Sequence, residues 1–250
     1  MTPHDRFAQA LRTLPLVAIL RGLRPSEAVG IGTALVGAGW QLIEVPLNSP
    51  QPLASIEAMN ATLPSALVGA GTVLTVAQVR EVHAAGGRLV VSPNFDADVV
   101  RATVKLGMVS LPGVATVSEA FAALAAGAAA LKLFPAEMLA PPVVKAWRAV
   151  LDPHTALLPV GGITPEGMAA YRAAGANGFG LGSAVLQSAL FGVAFVAIAA
   201  CTDTMYVLAA GMAAPALGSF GRARTVGRWT TALVYFGLGA FAALSEPRPR

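Results

Sequence analysis

The chain has 250 residues, of which 55% are hydrophobic and 12% are charged, and its formal net charge is +4. This apolar, weakly charged composition excludes intrinsic disorder, which requires low hydrophobicity and high charge. The single cysteine excludes a disulfide scaffold, and the three histidines are too far apart in the sequence for the usual spacing of metal ligands.

Short apolar runs alternate with alanine-rich helical stretches over the first 183 residues. The N-terminal segment carries charges and no long apolar core, which predicts a short amphipathic helix ending before Pro15 and not a secretory signal. Eight strands are predicted at Leu16–Leu20, Gln41–Val45, Ala66–Ala70, Arg88–Val91, Met108–Leu111, Ala130–Leu133, Leu157–Val160 and Gly178–Leu181. Helices are predicted between them at Pro25–Ala38, Thr75–Ala85, Asp96–Leu106, Thr116–Ala126, Pro142–Val150 and Thr164–Ala174.

Strands that alternate with helices predict parallel βαβ units, and continuously apolar strands are typical of a sheet covered by helices. Eight such units predict an α/β fold of the (β/α)8 TIM barrel type, with an open doubly wound sheet as the alternative. In a closed barrel, the residues after all eight strands converge on one mouth, whereas an open sheet spreads them along an edge. Because the polar residues cluster at these strand ends, we expect the closed barrel.

Three charged residues at predicted strand ends suggest carbonyl chemistry. Lys132 in AALKLFPAE has apolar flanks, and burial lowers the pKa of a lysine so that its neutral amine attacks carbonyl groups. Glu44 in LIEVPLNSP provides a carboxylate that is able to move protons, and Arg21 in AILRG offers a fork for a carboxylate ligand. The alternatives are a lysine that extends to the surface and an ion pair between Arg21 and Glu44.

Glycine-rich turns follow the last two predicted strands, in VGGITPEGM and GFGLGS. Glycine allows the backbone to approach an anion, and barrels frequently bind phosphate at this position. The alternative is that each turn is merely tight. Two turns at the expected place predict a phosphate site.

In this order and spacing, AILRG, IEVPLNSP, GAGTVL, VSPNF, ALKLFPAE, PVGGITPE and GFGLGS resemble the 2-keto-3-deoxy-6-phosphogluconate and -galactonate aldolases over about residues 12–184. The resemblance implies a class I, Schiff-base lyase on a (β/α)8 barrel, without cofactor or metal. It also implies a small phosphorylated sugar-acid substrate, with pyruvate and glyceraldehyde 3-phosphate as products. Members of this family are often trimers, so a homotrimer is an expectation by resemblance.

The resemblance also assigns a role to individual residues. It implies that Lys132 forms the Schiff base and that Glu44 is the acid/base. The substrate-binding residues that it implies are Arg21 and Thr72 near the pyruvate carboxylate, Pro93, Pro112 and Phe134 in the pocket wall, and Gly161, Gly162, Gly182 and Ser183 at the phosphate.

The stretch after Glu44 bears on the substrate epimer. Gluconate enzymes carry a Thr-Leu-Arg-Thr-like stretch there, whereas this chain has Pro46-Leu47-Asn48-Ser49 and a later Ser92-Pro93-Asn94, which look like the galactonate branch. We therefore expect 2-dehydro-3-deoxy-6-phosphogalactonate as substrate, with Asn48 among the binding residues. The alternatives are the gluconate epimer, 4-hydroxy-2-oxoglutarate, and an inactive membrane-tethered barrel that only binds phosphate.

The composition changes near residue 184. Residues 1–183 contain 12 Lys and Arg against 11 Asp and Glu, without a basic cluster, so no nucleic-acid partner is expected. Residues 1–184 are expected to form the barrel domain, and this barrel is expected to be cytoplasmic. Residues 185–250 contain long apolar runs around GRARTVGRW, an atypical helical tail in place of the last barrel helix. This tail is similar to the C-terminal part of lysine-exporter-type transporters. A gene fusion or rearrangement, or a misjoined reading frame, is expected first, because the change falls inside an element that the family needs. The alternative is a membrane hairpin, which is the only membrane contact expected.

Overall fold

The computed structural model describes residues 1–182, 198–205 and 207–208. In residues 1–182, strands β1 to β9 lie at Leu16–Ile19, Leu42–Pro46, Leu67–Gly71, Leu89–Val91, Val109–Leu111, Gly113–Val114, Ala130–Leu133, Ala156–Pro159 and Phe179–Leu181. Helices α1 to α8 lie at Pro3–Thr13, Pro25–Gly37, Pro52–Thr62, Val76–Ala84, Ala97–Lys105, Val117–Ala125, Pro141–Arg148 and Pro165–Ala173, and a 3-10 turn lies at Ala136–Met138.

All strand pairs are parallel. Six strands form a sheet in the order β5-β4-β3-β2-β1-β9, and three form a sheet in the order β6-β7-β8. Two further contacts connect the sheets: the Ala129 N–H donates to the Ser110 carbonyl over 3.0 Å, and Val160 bridges to Gly180 in parallel. The α/β fold with curled, parallel, helix-covered strands is therefore confirmed.

Alternation along the strands separates two apolar layers. The inner layer contains Val17, Leu42, Leu67 and Leu89, and it packs against Phe7 of α1. The outer layer lies between strands and helices and contains Ala18, Ile43, Val45, Val68 and Val90 from the strands with Ile56, Met59, Val79 and Val82 from the helices. Helix α1 therefore covers the end of the sheet at which the strands begin, while the other helices cover its outer face.

Three helices begin at the predicted threonine caps. Thr75, Thr116 and Thr164 each accept a hydrogen bond from the backbone of the first helical turn, as an N-cap does. Helix α3, Pro52–Thr62, was not among the predicted helices. Its N-cap is Gln51, which has a left-handed backbone and no side-chain cap, so Pro52 at the first helical position is the remaining starting signal.

The chain divides into two compact units, Met1–Ser188 and Ala189–Arg250. In the second unit, residues 198–205 and 207–208 are helical, and the Thr202 and Thr204 hydroxyls donate to carbonyls of the preceding turn. No helix within the described ranges is both long and apolar enough for a membrane span. Most of the predicted tail, including the expected substitute for the last barrel helix, lies outside the described residues.

Candidate functional site

Lys132 and Glu44 occupy the inner face of the sheet, one step along their strands from the apolar inner layer. Lys132 is two residues after Ala130 on β7, and Glu44 is two residues after Leu42 on β2, so each shares the face of its apolar neighbour. Lys132 is 7% exposed and Glu44 is 2% exposed. The strand periodicity thus brings an amine and a carboxylate into one interior.

The surroundings of Lys132 favour the neutral amine. Burial lowers the pKa of Lys132, the positive charge of Arg21 lowers it further, and the carboxylate of Glu44 acts in the opposite direction. The Nζ atom lies 4.7 Å from the centroid of the Phe134 ring. Because a neutral amine is nucleophilic, this position suits attack on a carbonyl carbon.

The surroundings of Glu44 favour the protonated acid. Burial raises the pKa of Glu44, against the opposing effects of Lys132 and Arg21. No described residue forms a hydrogen bond with its Oε2 atom, although that atom is buried. A Cβ at Gly71 would lie 2.8 Å from Oε1, so the absence of a side chain there leaves room for the carboxyl group.

Glu44 and Lys132 do not form a salt bridge. Among the described residues, the only salt bridge is between Arg101 and Asp98. Each group instead influences the pKa of the other through its charge. Two titratable groups whose environments shift their pKa values in opposite directions are typical of an acid/base site. The pair is therefore suited to a reaction in which the amine binds a carbonyl compound and the carboxyl group transfers protons.

A cavity of about 720 Å³ opens from this pair. It brings together nine of the twelve predicted site residues, which are Arg21, Glu44, Thr72, Pro93, Lys132, Phe134, Gly161, Gly162 and Gly182. Asn48 is exposed on the turn after β2 and does not line this cavity. Pro112 does not line it either, and its carbonyl accepts the backbone N–H of Lys132 over 3.0 Å. Ser183 lies outside the described residues.

Thr72 has an unusual backbone at the cavity wall. Its φ angle is +57°, in the left-handed region, which a β-branched residue rarely adopts. Such a conformation costs about 1–3 kcal/mol and persists only where the surrounding structure holds it. The turn after β3 is therefore strained at a residue that faces the cavity.

The other end of the cavity is built from the turn that leads into α8. Gly161 and Gly162 both have positive φ angles, 101° and 61°, and Thr164 caps the helix. Unpaired N–H groups at a helix N-terminus attract anions, and glycine permits close approach of the backbone. Unlike the buried Lys132, Gly162 is exposed, so this glycine turn lies at the rim of the cavity.

The cavity wall also contains residues that were not predicted. Ile19, Val160 and Gly180 line it, each two residues before a predicted site residue on the same strand or its extension. The two-residue period of a strand is the signal that identifies them. Ile163, Thr164 and Met168 also line it, and they lie within the glycine-rich motif that was singled out.

Within the described part of the chain, no three His, Cys, Asp or Glu side chains come together as metal ligands would.

The chain is similar to known proteins in sequence and in fold. A family model described as KDPG and KHG aldolase matches residues 7–199, which extends beyond the predicted boundary at residue 184. A probable 2-dehydro-3-deoxy-6-phosphogalactonate aldolase from Rhizobium meliloti (strain 1021) is 49% identical over 184 residues, covering 73% of this chain and 87% of the relative.

Two solved structures give the same result. A native KDPGal structure matches with a TM-score of 0.66 and 48% identity, covering 68% of this chain and 83% of that one. A KDPG aldolase from Legionella pneumophila, with pyruvate captured as a covalent carbinolamine intermediate, matches with a TM-score of 0.65 and 31% identity, covering 73% and 87%.

Proposed function

Since this chain belongs to the KDPG and KHG aldolase family, we propose that it is a class I aldolase cleaving 2-dehydro-3-deoxy-6-phosphogalactonate. The products are pyruvate and D-glyceraldehyde 3-phosphate. The observation that carries the proposal is the buried pair of Lys132 and Glu44, with pKa values shifted toward the neutral amine and the neutral acid.

The first step is the attack of the Lys132 amine on the C2 ketone of the substrate. Glu44 supplies a proton to the ketone oxygen, which gives a carbinolamine, and loss of water then gives a protonated Schiff base. The resulting cation withdraws electrons from the C3–C4 bond. No metal participates in this mechanism, because the iminium carries out the electron withdrawal.

The second step breaks the C3–C4 bond. The C4 hydroxyl loses its proton to the Glu44 carboxylate, directly or through water, and C4 leaves as the aldehyde. The electrons of the broken bond form an enamine on Lys132. Protonation of the enamine at C3 and hydrolysis of the Schiff base release pyruvate and restore the free amine.

The ends of the cavity suit the two ends of the substrate. Arg21 and the Thr72 turn bind the carboxylate next to the ketone, since a guanidinium pairs well with a carboxylate. The glycine turn, Gly182 and Ser183 bind the phosphate, and Pro93, Pro112 and Phe134 shape the wall between the ends. Asn48 is assigned to substrate binding by the resemblance alone.

Two observations support the galactonate epimer. The chain is 48% identical to the native KDPGal structure and 31% identical to the Legionella KDPG aldolase. The Pro46–Ser49 stretch resembles the galactonate branch of the family. The two epimers differ at one stereocentre, where a single moved hydrogen bond is enough for discrimination.

The proposal includes a closed (β/α)8 barrel in residues 1–184. In it, β5 and β6 form one strand interrupted at Pro112, which gives eight strands. Closure is supported by the Ala129–Ser110 hydrogen bond on one side and the Val160–Gly180 bridge on the other.

Trapping with borohydride tests the chemistry. Wild-type protein incubated with pyruvate and borohydride is expected to gain the mass of a reduced pyruvate adduct on Lys132, as seen by peptide mass spectrometry. Lys132→Ala is expected to remain unmodified. An adduct that persists in Lys132→Ala contradicts the assignment of the nucleophile.

Steady-state kinetics test the substrate. The full chain is expected to cleave the galactonate epimer with a higher kcat/KM than the gluconate epimer, measured as pyruvate release. A higher kcat/KM for the gluconate epimer contradicts the proposed substrate while leaving the Schiff-base chemistry intact.

A further inference from the structure

Two buried serines lie outside the cavity lining and have no role in the proposed cleavage steps. Ser49 follows β2 and Ser92 follows β4, and each precedes a proline. Ser49 is 8% exposed and Ser92 is 4% exposed, and neither lines the cavity. The Ser49 hydroxyl forms hydrogen bonds with the turn after β1, and the Ser92 hydroxyl forms one with the turn after β3.

Ser92 holds the turn after β3. Its hydroxyl donates to the Val73 carbonyl over 2.7 Å, and the Val73 N–H donates to the Val91 carbonyl over 3.3 Å. Val73 is thus held on both sides, and it directly follows Thr72, whose backbone is left-handed. Because a strained conformation needs such support, the Ser92 hydroxyl contributes to the placement of Thr72.

Ser49 holds the turn after β1 in a similar way. Its hydroxyl oxygen accepts the Gly22 N–H over 3.0 Å, and the hydroxyl lies 3.5 Å from the Leu20 carbonyl, to which it donates. These contacts are on either side of Arg21. The backbone that carries the Arg21 guanidinium is therefore tied to a loop 27 residues later in the chain.

We propose that Ser49 and Ser92 are positioning residues that fix the turns carrying Arg21 and Thr72, and thereby set the affinity for the substrate carboxylate. This inference rests on the proposed function, which assigns Arg21 and Thr72 to that carboxylate. The two serines act through backbone hydrogen bonds and do not touch the substrate. Their effect is therefore confined to the pyruvate end of the cavity.

The aldol addition of pyruvate to D-glyceraldehyde 3-phosphate separates the two ends, because each substrate has its own KM. In full-length Ser49→Ala and Ser92→Ala, the KM for pyruvate is expected to rise about three- to tenfold, the effect of losing one hydrogen bond. The KM for D-glyceraldehyde 3-phosphate and kcat are expected to stay within about twofold of wild type. The lost interaction binds the pyruvate carboxylate equally in the ground state and the transition state, so its loss raises only the KM for pyruvate.

Ser55→Ala is the matched control. Ser55 is a fully buried serine on α3 whose hydroxyl forms no hydrogen bond with described residues, so its loss is expected to leave both KM values unchanged. Unchanged pyruvate KM values in Ser49→Ala and Ser92→Ala overturn the inference, as does an equal rise in both KM values. A wild-type protein that forms no aldol product overturns the proposed function, and this inference with it.

Discussion

At the base of the cavity, Lys132 and Glu44 have lost most of the solvation that their charged forms would have in water. Folding therefore disfavours the ammonium form of one and the carboxylate form of the other. The two groups offset this cost only in part, because they attract each other without a salt bridge. Reactivity at these residues is obtained at the expense of stability.

Lys132→Met tests this cost. Folding lowers the pKa of Lys132. Between the lowered pKa and the ordinary lysine pKa, the unfolded chain therefore binds one proton more than the folded chain. The free energy of unfolding consequently falls as the pH falls through this range. Methionine fills a similar volume without a charge. We expect the variant to lack aldolase activity and to have a higher urea midpoint at pH 7 than wild type.

The pH dependence supplies the control for that variant. The gain in urea midpoint is expected to be larger at pH 7 than at pH 10, where the unfolded lysine also begins to lose its proton. A midpoint lower than that of wild type at pH 7 would show that Lys132 stabilises the fold.

Several residues of the site could be predicted from the sequence, and others could not. Lys132 and Glu44 stand out because charges are rare inside apolar strands. The exposure of Asn48 depends on the conformation of the turn after β2, which residue types do not determine. The left-handed backbone of Thr72 could not be predicted from the sequence either, because threonine disfavours this conformation and only tertiary contacts impose it.

At the scale of elements, the turn between β8 and α8 is packed from behind. A Cβ at Gly161 or Gly162 would come within 2.8 or 2.7 Å of a carboxylate oxygen of Glu137. The Tyr171 hydroxyl donates to the Ala136 carbonyl over 2.9 Å, which ties α8 to the segment that carries Glu137. The turn therefore needs glycine both for its backbone and for its close packing.

Gly162→Ala is expected to weaken binding of the phosphorylated substrate. An alanine at a φ of +61° costs about 1–2 kcal/mol and its methyl group displaces Glu137, so the turn moves. We expect the KM for D-glyceraldehyde 3-phosphate to rise about tenfold in the aldol addition, with the KM for pyruvate little changed.

Gly167→Ala is the matched control within the same element. A Cβ at Gly167 meets only the Thr164 Oγ1 atom, at 3.6 Å, and alanine favours the helix. This variant is expected to retain both KM values. An equal effect of the two substitutions would argue against a special role for the turn.

Strand and helix positions were largely predictable because periodicity and caps agree along most of the chain. Helix α3 was missed, since Ser49-Pro50-Gln51-Pro52 resembles a loop. The break between β5 and β6 follows from Pro112, which has no N–H to donate to a neighbouring strand.

At the scale of the whole first unit, α1 covers the amino-terminal end of the strands. Phe7 is 4% exposed in the inner apolar layer, and the Arg6 guanidinium donates to the Ala66 carbonyl over 2.9 Å. A segment that precedes the first βα unit thus completes the core on the side opposite the cavity.

Phe7→Ala is expected to destabilise the protein by about 3–5 kcal/mol, because it leaves a hole in a packed layer. The fraction that remains folded is expected to keep the wild-type KM values, since Phe7 is remote from the cavity lining. Chemical denaturation and kinetics on the same samples measure both quantities. A raised KM for pyruvate would show that this layer also shapes the site.

The division of the chain into an aldolase domain and a tail remains a prediction. The family match reaches residue 199, while most of residues 185–250 lie outside the described part of the chain. Composition alone distinguished these residues, and composition does not determine how a segment packs.

Because the amino-terminal end of the strands is covered, the order in which the two products leave the cavity is constrained. In the proposed mechanism, the ketone end of the substrate reaches the buried Lys132, while its phosphate stays beside the exposed glycine turn at the rim. After cleavage, the phosphorylated fragment lies between pyruvate and the exit through the mouth. The aldehyde is therefore expected to depart first. Product inhibition tests this order: pyruvate is expected to inhibit competitively against the sugar acid, and the aldehyde noncompetitively.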